Sequence, residues 1–305
     1  MSEIILHHYP NSPFAEIIRL TLGLKGLAWR SVIQSNMMPR PHLTPLTGGY
    51  RRIPVLQIGA DCYCDTQIIL RELDRRFPNP PLEPAGQEGL GWALRHWAGT
   101  SYFQACVAII FGTLGEHVPK AFIEDREKLS GRPFDVAAMK AVAPMMKDQW
   151  RAQAAWIDAR AQGGGFLLGD QPGLADVSCA MPFWFLRSGL APVFEALTAD
   201  LPAARAWFAR VEALGHGTSS PLTPEEALAI AKDATPAPAL PSAPEPQGFG
   251  PGDRVIVMAD DYGRDPIEGI VSHCSANRIA LARETAEAGA IVTHFPRAGF
   301  LVRRV

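Results

Sequence analysis

The sequence predicts a chain of three parts: an α/β domain, an all-helical domain and a small all-β domain. Its 305 residues exceed what one hydrophobic core usually supports. The apolar pattern changes from mixed strands and helices to helices alone after the prolines at 78–81, and to short strands after about residue 250. A proline- and alanine-rich segment, 234–250, is predicted to be an extended linker. We therefore predict domains at 1–80, 86–233 and 251–305.

The first domain is predicted to have the order β-α-β-loop-β-β-α. Its predicted strands span residues 4–6, 29–33, 55–58 and 61–64, and its predicted helices span 14–24 and 67–77. In the second helix Ile69, Leu73 and Phe77 recur at intervals of four. This spacing places them on one side of the helix, which we expect to lie on the sheet.

The second domain is predicted to consist of helices, and the third of five short strands. The helices span 90–111, 134–161, 174–187, 202–214 and 224–232, the last opening with the capping box of Thr223 and Glu226. The strands span 254–258, 267–271, 278–282, 290–295 and 300–305. Five strands in under sixty residues favour a small closed barrel, of the SH3-like kind.

Composition excludes several classes of function. The net charge of −2 provides no basic field for nucleic acid, and the third domain has seven arginines against seven acidic residues. The longest apolar runs, 106–111 and 179–186, are far shorter than the roughly 20 residues of a membrane span, so we expect no membrane partner. Five cysteines and a start without an export signal favour the cytoplasm. Cys62 and Cys64 have no second pair nearby, so we expect no metal site.

Ser12 and Pro13 form a strong helix-start signal with two interpretations. The hydroxyl can cap the helix, because proline needs no amide partner at the first position. The same geometry directs free amides and the positive helix end toward Ser12, where a bound thiol would lose its proton more easily. Ser12 is thus a candidate cap, a candidate catalytic group, or both.

Two further positions could hold a small peptide. Pro54 has no amide to donate to a strand partner, which leaves the backbone of Ile53 free to pair with a ligand. Asp65 and Thr66 precede the helix at Gln67, where a cap and its neighbouring amides can receive a carboxylate. Simple capping is the alternative at this second position.

The order of these motifs resembles the cytosolic glutathione transferase family over about residues 1–232. The resemblance rests on Ser12-Pro13-Phe14, the segment 46–56, Asp65-Thr66 and the helical domain that follows. It implies a thioredoxin-like first domain in which Pro54 is cis and Ile53 pairs with the cysteinyl part of glutathione. It also implies that Asp65 and Thr66 hold the γ-glutamyl end, that Ser12 stabilises the thiolate, and that the protein is a homodimer.

Two features depart from the family pattern. Gly173 stands where a capping Ser or Thr is usual in the helical domain, and Asp176 is expected to maintain the helix start. The third domain is not part of the usual two-domain plan.

The leading hypothesis is a glutathione transferase with glutathione as cosubstrate and no metal. The thiolate would attack an apolar electrophilic small molecule held between the first two domains. Candidates for the apolar wall are Phe14, Tyr102, Phe103 and Cys106, and candidates for the glycyl carboxylate are Arg40, His42, Arg51 and Arg52. The alternatives are a non-catalytic glutathione-binding carrier and a scaffold whose barrel recruits a protein partner. If Ser12 has no role, Tyr9 and Asn11 are the next candidates.

Overall fold

One continuous sheet joins the first and last parts of the chain. The computed structural model describes residues 3–243 and 246–305. Within them the strands are β1 Ile5–His8, β2 Ala28–Ile33, β3 Val55–Ile58, β4 Asp61–Cys64, β5 Thr218–Pro221, β6 Arg254–Ala259, β7 Ile267–Cys274, β8 Arg278–Thr285, β9 Gly289–Pro296 and β10 Phe300–Arg304. Their order across the sheet is β10-β6-β7-β8-β9-β4-β3-β1-β2-β5.

The helices lie in the first and middle parts of the chain. The first part contains α1 Pro13–Leu24, α2 Thr44–Thr47 and α3 Thr66–Arg76. The rest are α4 Leu90–Trp97, α5 Phe103–Leu114, α6 Lys120–Ser130, α7 Val136–Ala161, α8 Leu174–Gly189, α9 Ala191–Thr198, α10 Pro202–Glu212 and α11 Pro224–Asp233. The thioredoxin-like first part and the helical second part are therefore confirmed as fold predictions.

The first four strands have the predicted order, with α2 as a short helix inside the predicted loop. Strand β1 pairs in parallel with β2 and antiparallel with β3, and β3 pairs antiparallel with β4. The sequence analysis missed β5, which pairs in parallel with β2 through Ala28 and Thr218. Its four residues are exposed, so they show no apolar alternation to find.

The five C-terminal strands are present, but a separate closed barrel is not confirmed. Strands β6 to β9 form an antiparallel meander, and β10 pairs with β6. At the other edge β9 pairs in parallel with β4, opposite Asp61, Cys62 and Tyr63. This pairing covers a strand edge that would otherwise present free backbone groups.

The linker follows the sheet where the structure describes it. The Ala237 amide donates to the Asp61 carboxylate (2.8 Å), and the Ala243 amide donates to the carbonyl of Cys274 (2.9 Å). Residues 244 and 245 of the predicted linker, and Met1 and Ser2 of the predicted first domain, lie outside the described residues.

Two large clusters of apolar side chains form the main core. The first joins one face of the thioredoxin-like part to the helices. The second joins first-domain residues such as Leu46, Val55 and Cys62 to C-terminal residues such as Leu281 and Phe295. The C-terminal strands therefore share a core with the first domain.

Helices α4 and α5 belong to a continuous helical run, Leu90–His117. Length and composition alone would let this run cross a membrane, a test that core helices of soluble proteins also meet. Tyr102, Cys106 and Ile109 of this run are fully buried in the first core cluster. These three residues therefore pack in the core, and 39% of the most apolar 18-residue window of the run is buried.

The start of α8 explains the glycine at position 173. The Asp176 carboxylate accepts a hydrogen bond from the Gly173 amide (3.0 Å), as expected. A Cβ on Gly173 would lie 2.6 Å from the carbonyl oxygen of Leu82, whose carbonyl accepts from the Leu174 amide at 2.7 Å. The close chain passage leaves no room for a capping Ser or Thr.

Candidate functional site

Ser12 caps α1 at the end of a tight turn that follows β1. Its amide donates to the carbonyl of Tyr9 (3.1 Å), and its hydroxyl oxygen accepts from the Ala15 amide (3.2 Å). The predicted cap is therefore confirmed. Because the hydroxyl accepts this bond, its hydrogen can still donate to another group. Ser12 is only 1% exposed, and a bond donated in such a low-dielectric place is stronger than in water.

A buried arginine fixes the turn in front of Ser12. Arg19 donates to the carbonyls of Pro10 (3.0 Å) and Tyr9 (3.4 Å), and pairs with Glu16 at 2.6 Å. Burial alone would raise the pKa of Glu16, but hydrogen bonds and charges from His216 and Arg19 bring that pKa below its usual value. The ionised Glu16 thus holds Arg19 on the two carbonyls.

Ile53 and Pro54 precede β3 and are joined by a cis peptide bond, as the resemblance implied. Among the hydrogen bonds of the described residues, none uses the amide or carbonyl of Ile53. An extended peptide could therefore pair with this backbone, as expected from the proline at position 54.

Asp65 and Thr66 begin α3 and contact an arginine from the helical domain. Asp65 has φ of 89°, a conformation that few residues other than glycine adopt, and its carboxylate caps Gln67 (2.8 Å). Arg95 of α4 lies 3.3 Å from the same carboxylate and also donates to the Thr66 hydroxyl. The Arg95 side chain is 12% exposed, and its buried Nε has no partner among the described residues.

Arg95 is a candidate site residue that the sequence analysis missed. It lies thirty positions from Asp65, near the C-terminal end of α4. Charge and spacing give no signal for such a contact, because the contact depends on how the helical domain packs on the first domain.

The predicted carboxylate ligands Arg40 and His42 have other partners. Arg40 is buried and donates to the carbonyl of Ser35 (2.8 Å), so it supports the loop that contains it. His42 lies 3.0 Å from the carboxylate of Glu225 in α11. These contacts are structural, and a role toward a glycyl carboxylate stays a prediction.

The four predicted wall residues lie in two different environments. Phe14 and Phe103 contact each other edge to face, with ring centres 5.0 Å apart, and both are partly buried. Tyr102 and Cys106 are fully buried, and Cys106 accepts a hydrogen bond from the Trp150 indole (3.2 Å). Burial raises the pKa of the Cys106 thiol. Tyr102 and Cys106 are therefore core residues and not an open wall, because helix packing leaves them no exposed surface.

An open cleft lies between the first domain and α6. Its volume is about 450 Å³, and its lining includes Met37, Met38, Arg51, Ala121, Asp125 and Lys128. Arg51 and Asp125 form an ion pair across it at 3.2 Å. The sequence analysis predicted a cleft between the domains but did not predict α6, whose residues form one side of it.

Comparisons with known proteins agree with this fold. The family described as "Glutathione S-transferase, N-terminal domain" matches residues 6–81, and "Glutathione S-transferase, C-terminal domain" matches residues 137–210. A probable glutathione S-transferase from Solanum tuberosum is 29% identical over 132 residues, which are 42% of this chain and 59% of that protein. The match thus spans well under two thirds of the potato protein.

Solved structures extend the likeness to the whole chain. A GST-like protein from Pseudomonas syringae is 38% identical, with a TM-score of 0.83 and full coverage of both chains. A glutathione S-transferase from Methylobacterium radiotolerans, solved with glutathione sulfonate, has a TM-score of 0.51 over 73% of this chain and 98% of its own. At 19% identity the second likeness shows a shared fold alone.

Proposed function

Since the chain belongs to the glutathione S-transferase family, we propose that it is an enzyme that activates the thiol of glutathione for attack on an apolar electrophilic small molecule. The observation that carries the proposal is the Ser12 hydroxyl, whose oxygen caps α1 by accepting from the Ala15 amide, so that its hydrogen can be donated to a thiolate. The amides and the positive end of α1 favour a negative charge beside it.

In the proposed reaction the nucleophile comes from the cosubstrate. The thiol of glutathione gives its proton to solvent, and the Ser12 hydroxyl donates a hydrogen bond to the resulting thiolate. The thiolate then forms a carbon–sulfur bond while the leaving group departs with its electron pair. Arg19 is a positioning residue here, because it holds the turn that presents Ser12.

The γ-glutamyl end of glutathione has an ammonium and a carboxylate on one carbon atom, and the site has matching charges. We assign the ammonium to Asp65 and the carboxylate to Arg95, whose charged groups lie 3.3 Å apart. The backbone of Ile53 pairs with the cysteinyl part, and Thr66 supports the Arg95 guanidinium. The site thus selects a ligand that has both charges.

We also propose that the protein is a cytoplasmic homodimer, and this part of the proposal rests on the family alone. Sedimentation of the purified protein at micromolar concentration tests whether it is a dimer. The electrophile is proposed to enter through the cleft beside α6.

Substitution of Ser12 by Ala tests the catalytic role. We expect kcat for conjugation of 1-chloro-2,4-dinitrobenzene to fall about 100-fold, since removal of one positioned donor commonly has this effect. The Kd for glutathione, measured by calorimetry, should change less than about threefold, because Ile53, Asp65 and Arg95 still hold the peptide.

The matched control is Thr223→Ala. Thr223 caps α11 as Ser12 caps α1, because its hydroxyl oxygen accepts a hydrogen bond from the Glu226 amide (3.2 Å). Both variants should lose about 1 kcal/mol of stability, but only Ser12→Ala should lose turnover. Equal turnover in the two variants rules out Ser12 as the activating group. Binding of glutathione without turnover in the wild-type protein supports the carrier hypothesis instead.

A further inference from the structure

The loop between β6 and β7, residues 260–266, extends from the C-terminal strands to the predicted glutathione site. Arg52, which directly precedes Ile53, donates to the carboxylate of Asp261 and to the carbonyl of Tyr262. The Arg52 guanidinium also lies over the Tyr262 ring, 3.9 Å from its centre. Three types of contact thus fix this loop next to the backbone that is proposed to pair with glutathione.

The same loop also contacts the helical domain. The amide of Gly263 donates to the carbonyl of Leu129 in α6 at 2.7 Å. Gly263 has φ of +59°, and a Cβ there would lie 3.0 Å from the Leu129 side chain and 3.3 Å from Arg52. The positive φ favours glycine at this position, and a Cβ would make the two side chains shift by a few tenths of an ångström. The loop therefore bridges the two domains that border the site.

Tyr262 is held beside the predicted site by its contacts with Arg52. Burial raises the pKa of the Tyr262 hydroxyl. Arg52 acts in the opposite direction, whereas the Asp261 charge adds to the increase, with smaller additions from Asp65 and Tyr9. Tyr9 belongs to the turn that presents Ser12, and Asp65 belongs to the γ-glutamyl position.

A second C-terminal turn lies beside this loop, since the Asp260 amide donates to the carbonyl of Gly299 between β9 and β10 (3.0 Å). The side-chain amide of Gln67, at the start of α3, donates to the carbonyl of Ala298 between β9 and β10 (3.1 Å). The C-terminal strands therefore reach the region beside Arg52 and the region beside Asp65.

We propose that the β6–β7 loop forms the outer wall of the glutathione site and that Tyr262 is a binding residue that contacts the bound tripeptide. The proposal rests on the proposed function, because the loop is fixed to Arg52, the residue that precedes the Ile53 backbone assigned to glutathione. In this arrangement the C-terminal strands complete the site within the same chain. The Arg52 guanidinium fixes the Tyr262 ring in one orientation before the ligand arrives, which lowers the entropy cost of binding.

Amide hydrogen exchange of the full-length wild-type protein, with and without saturating glutathione, tests the wall directly. We expect glutathione to slow exchange both in residues 53–66 and in residues 260–266. Slower exchange in residues 53–66 alone would contradict the proposal that the β6–β7 loop lines the site, and would leave the proposed function intact. If neither segment changes, glutathione does not bind at the proposed site, and both proposals are wrong.

Affinity measurements on variants test Tyr262 itself. We expect Tyr262→Ala to weaken glutathione binding about tenfold by calorimetry, and Tyr262→Phe to stay within about twofold, because the ring contact remains. Leu301→Ala is the control: Leu301 lies on β10 of the same sheet and is 48% exposed. A Tyr262→Ala protein that binds as tightly as this control overturns the assignment. If Tyr262→Ala does not fold, the exchange experiment decides the proposal.

Discussion

Acidification from pH 8 to pH 5.5 should destabilise the folded protein by about 1.4 kcal/mol through His7 alone. His7 lies on β1 and is almost fully buried. Its Nε2 is 2.8 Å from the Gln57 amide oxygen, and its Nδ1 is 3.2 Å from the Gln34 amide nitrogen. The Gln57 amide nitrogen donates to the carbonyl of Ala227 (2.8 Å), which fixes the orientation of that amide.

This network selects a neutral imidazole. The Gln57 oxygen requires a hydrogen on Nε2, and the Gln34 amide requires a free lone pair on Nδ1. A second proton would place two donors against each other. Burial, opposed in part by the hydrogen bond with Gln57, lowers the pKa of His7 from 6.5 to about 4.

The size of the effect follows from proton linkage. Because the folded pKa is lowered, the unfolded state binds more protons between pH 6.5 and pH 4, and stability is lost as the pH falls through that range. At pH 5.5 the unfolded imidazole is about 90% protonated and the folded one about 3%, which gives about 1.4 kcal/mol. Burial and the Arg19 charge also lower the pKa of His8 to about 4, so the two neighbours together should cost up to about 3 kcal/mol.

Urea unfolding followed by tryptophan fluorescence, at fixed ionic strength between pH 8 and pH 5.5, measures this loss. The His7→Asn variant should show a smaller pH dependence than the wild-type protein, whereas the control His117→Asn, at an exposed position, should match the wild type. A wild-type free energy of unfolding that stays constant to within about 0.5 kcal/mol over this range would falsify the assignment of a neutral buried imidazole.

Two further predictions concern contacts between parts of the chain. Arg278 of β8 lies 2.5 Å from the buried Glu72 carboxylate of α3, and Arg278→Met should cost about 2 kcal/mol in thermal unfolding, since the carboxylate loses one of its buried donors. The exposed Arg303→Met is the control, and equal melting temperatures for the two variants contradict this role. Arg95→Gln should weaken glutathione binding at least about tenfold while kcat at saturation changes little, because it removes the partner of the γ-glutamyl carboxylate. Arg71→Gln, on the adjacent helix α3, should leave calorimetric affinity unchanged, and an equal effect of both variants argues against the assignment.

Much of the fold could be predicted because the signals for its elements are local. The capping box of α11 has both expected bonds, with the Thr223 amide 2.8 Å from Glu226 and the Glu226 amide 3.2 Å from Thr223. The apolar spacing of 67–77 predicted α3, whose Ile69 and Leu73 are fully buried. The order of motifs then led to the correct family.

Elements without local signals were missed. Helix α6, Lys120–Ser130, has no fully buried residue, so it shows no apolar stripe. Strand β5 is polar and exposed, and depends on β2 for its pairing. In the candidate site, Ser12 and Asp65 could be found from capping rules, whereas the contacts of Arg95 with Asp65 and of Tyr262 with Arg52 depend on packing between distant segments.

The C-terminal strands are better understood as a completion of the first domain than as a tethered module. A tethered module would have its own core and leave the neighbouring sheet edge as it was. Here β9 pairs with β4, the hydroxyl of Thr293 donates to the carbonyl of Leu46 (3.2 Å), and His294 stacks on Tyr63 with ring centres 4.4 Å apart. Loss of residues 251–305 would therefore expose the β4 edge and the apolar side chains that the second core cluster buries. A scaffold role in which the first domain stays unchanged does not fit these contacts. A partner bound to the C-terminal strands would act on the same sheet whose strands β3 and β4 adjoin Ile53 and Asp65.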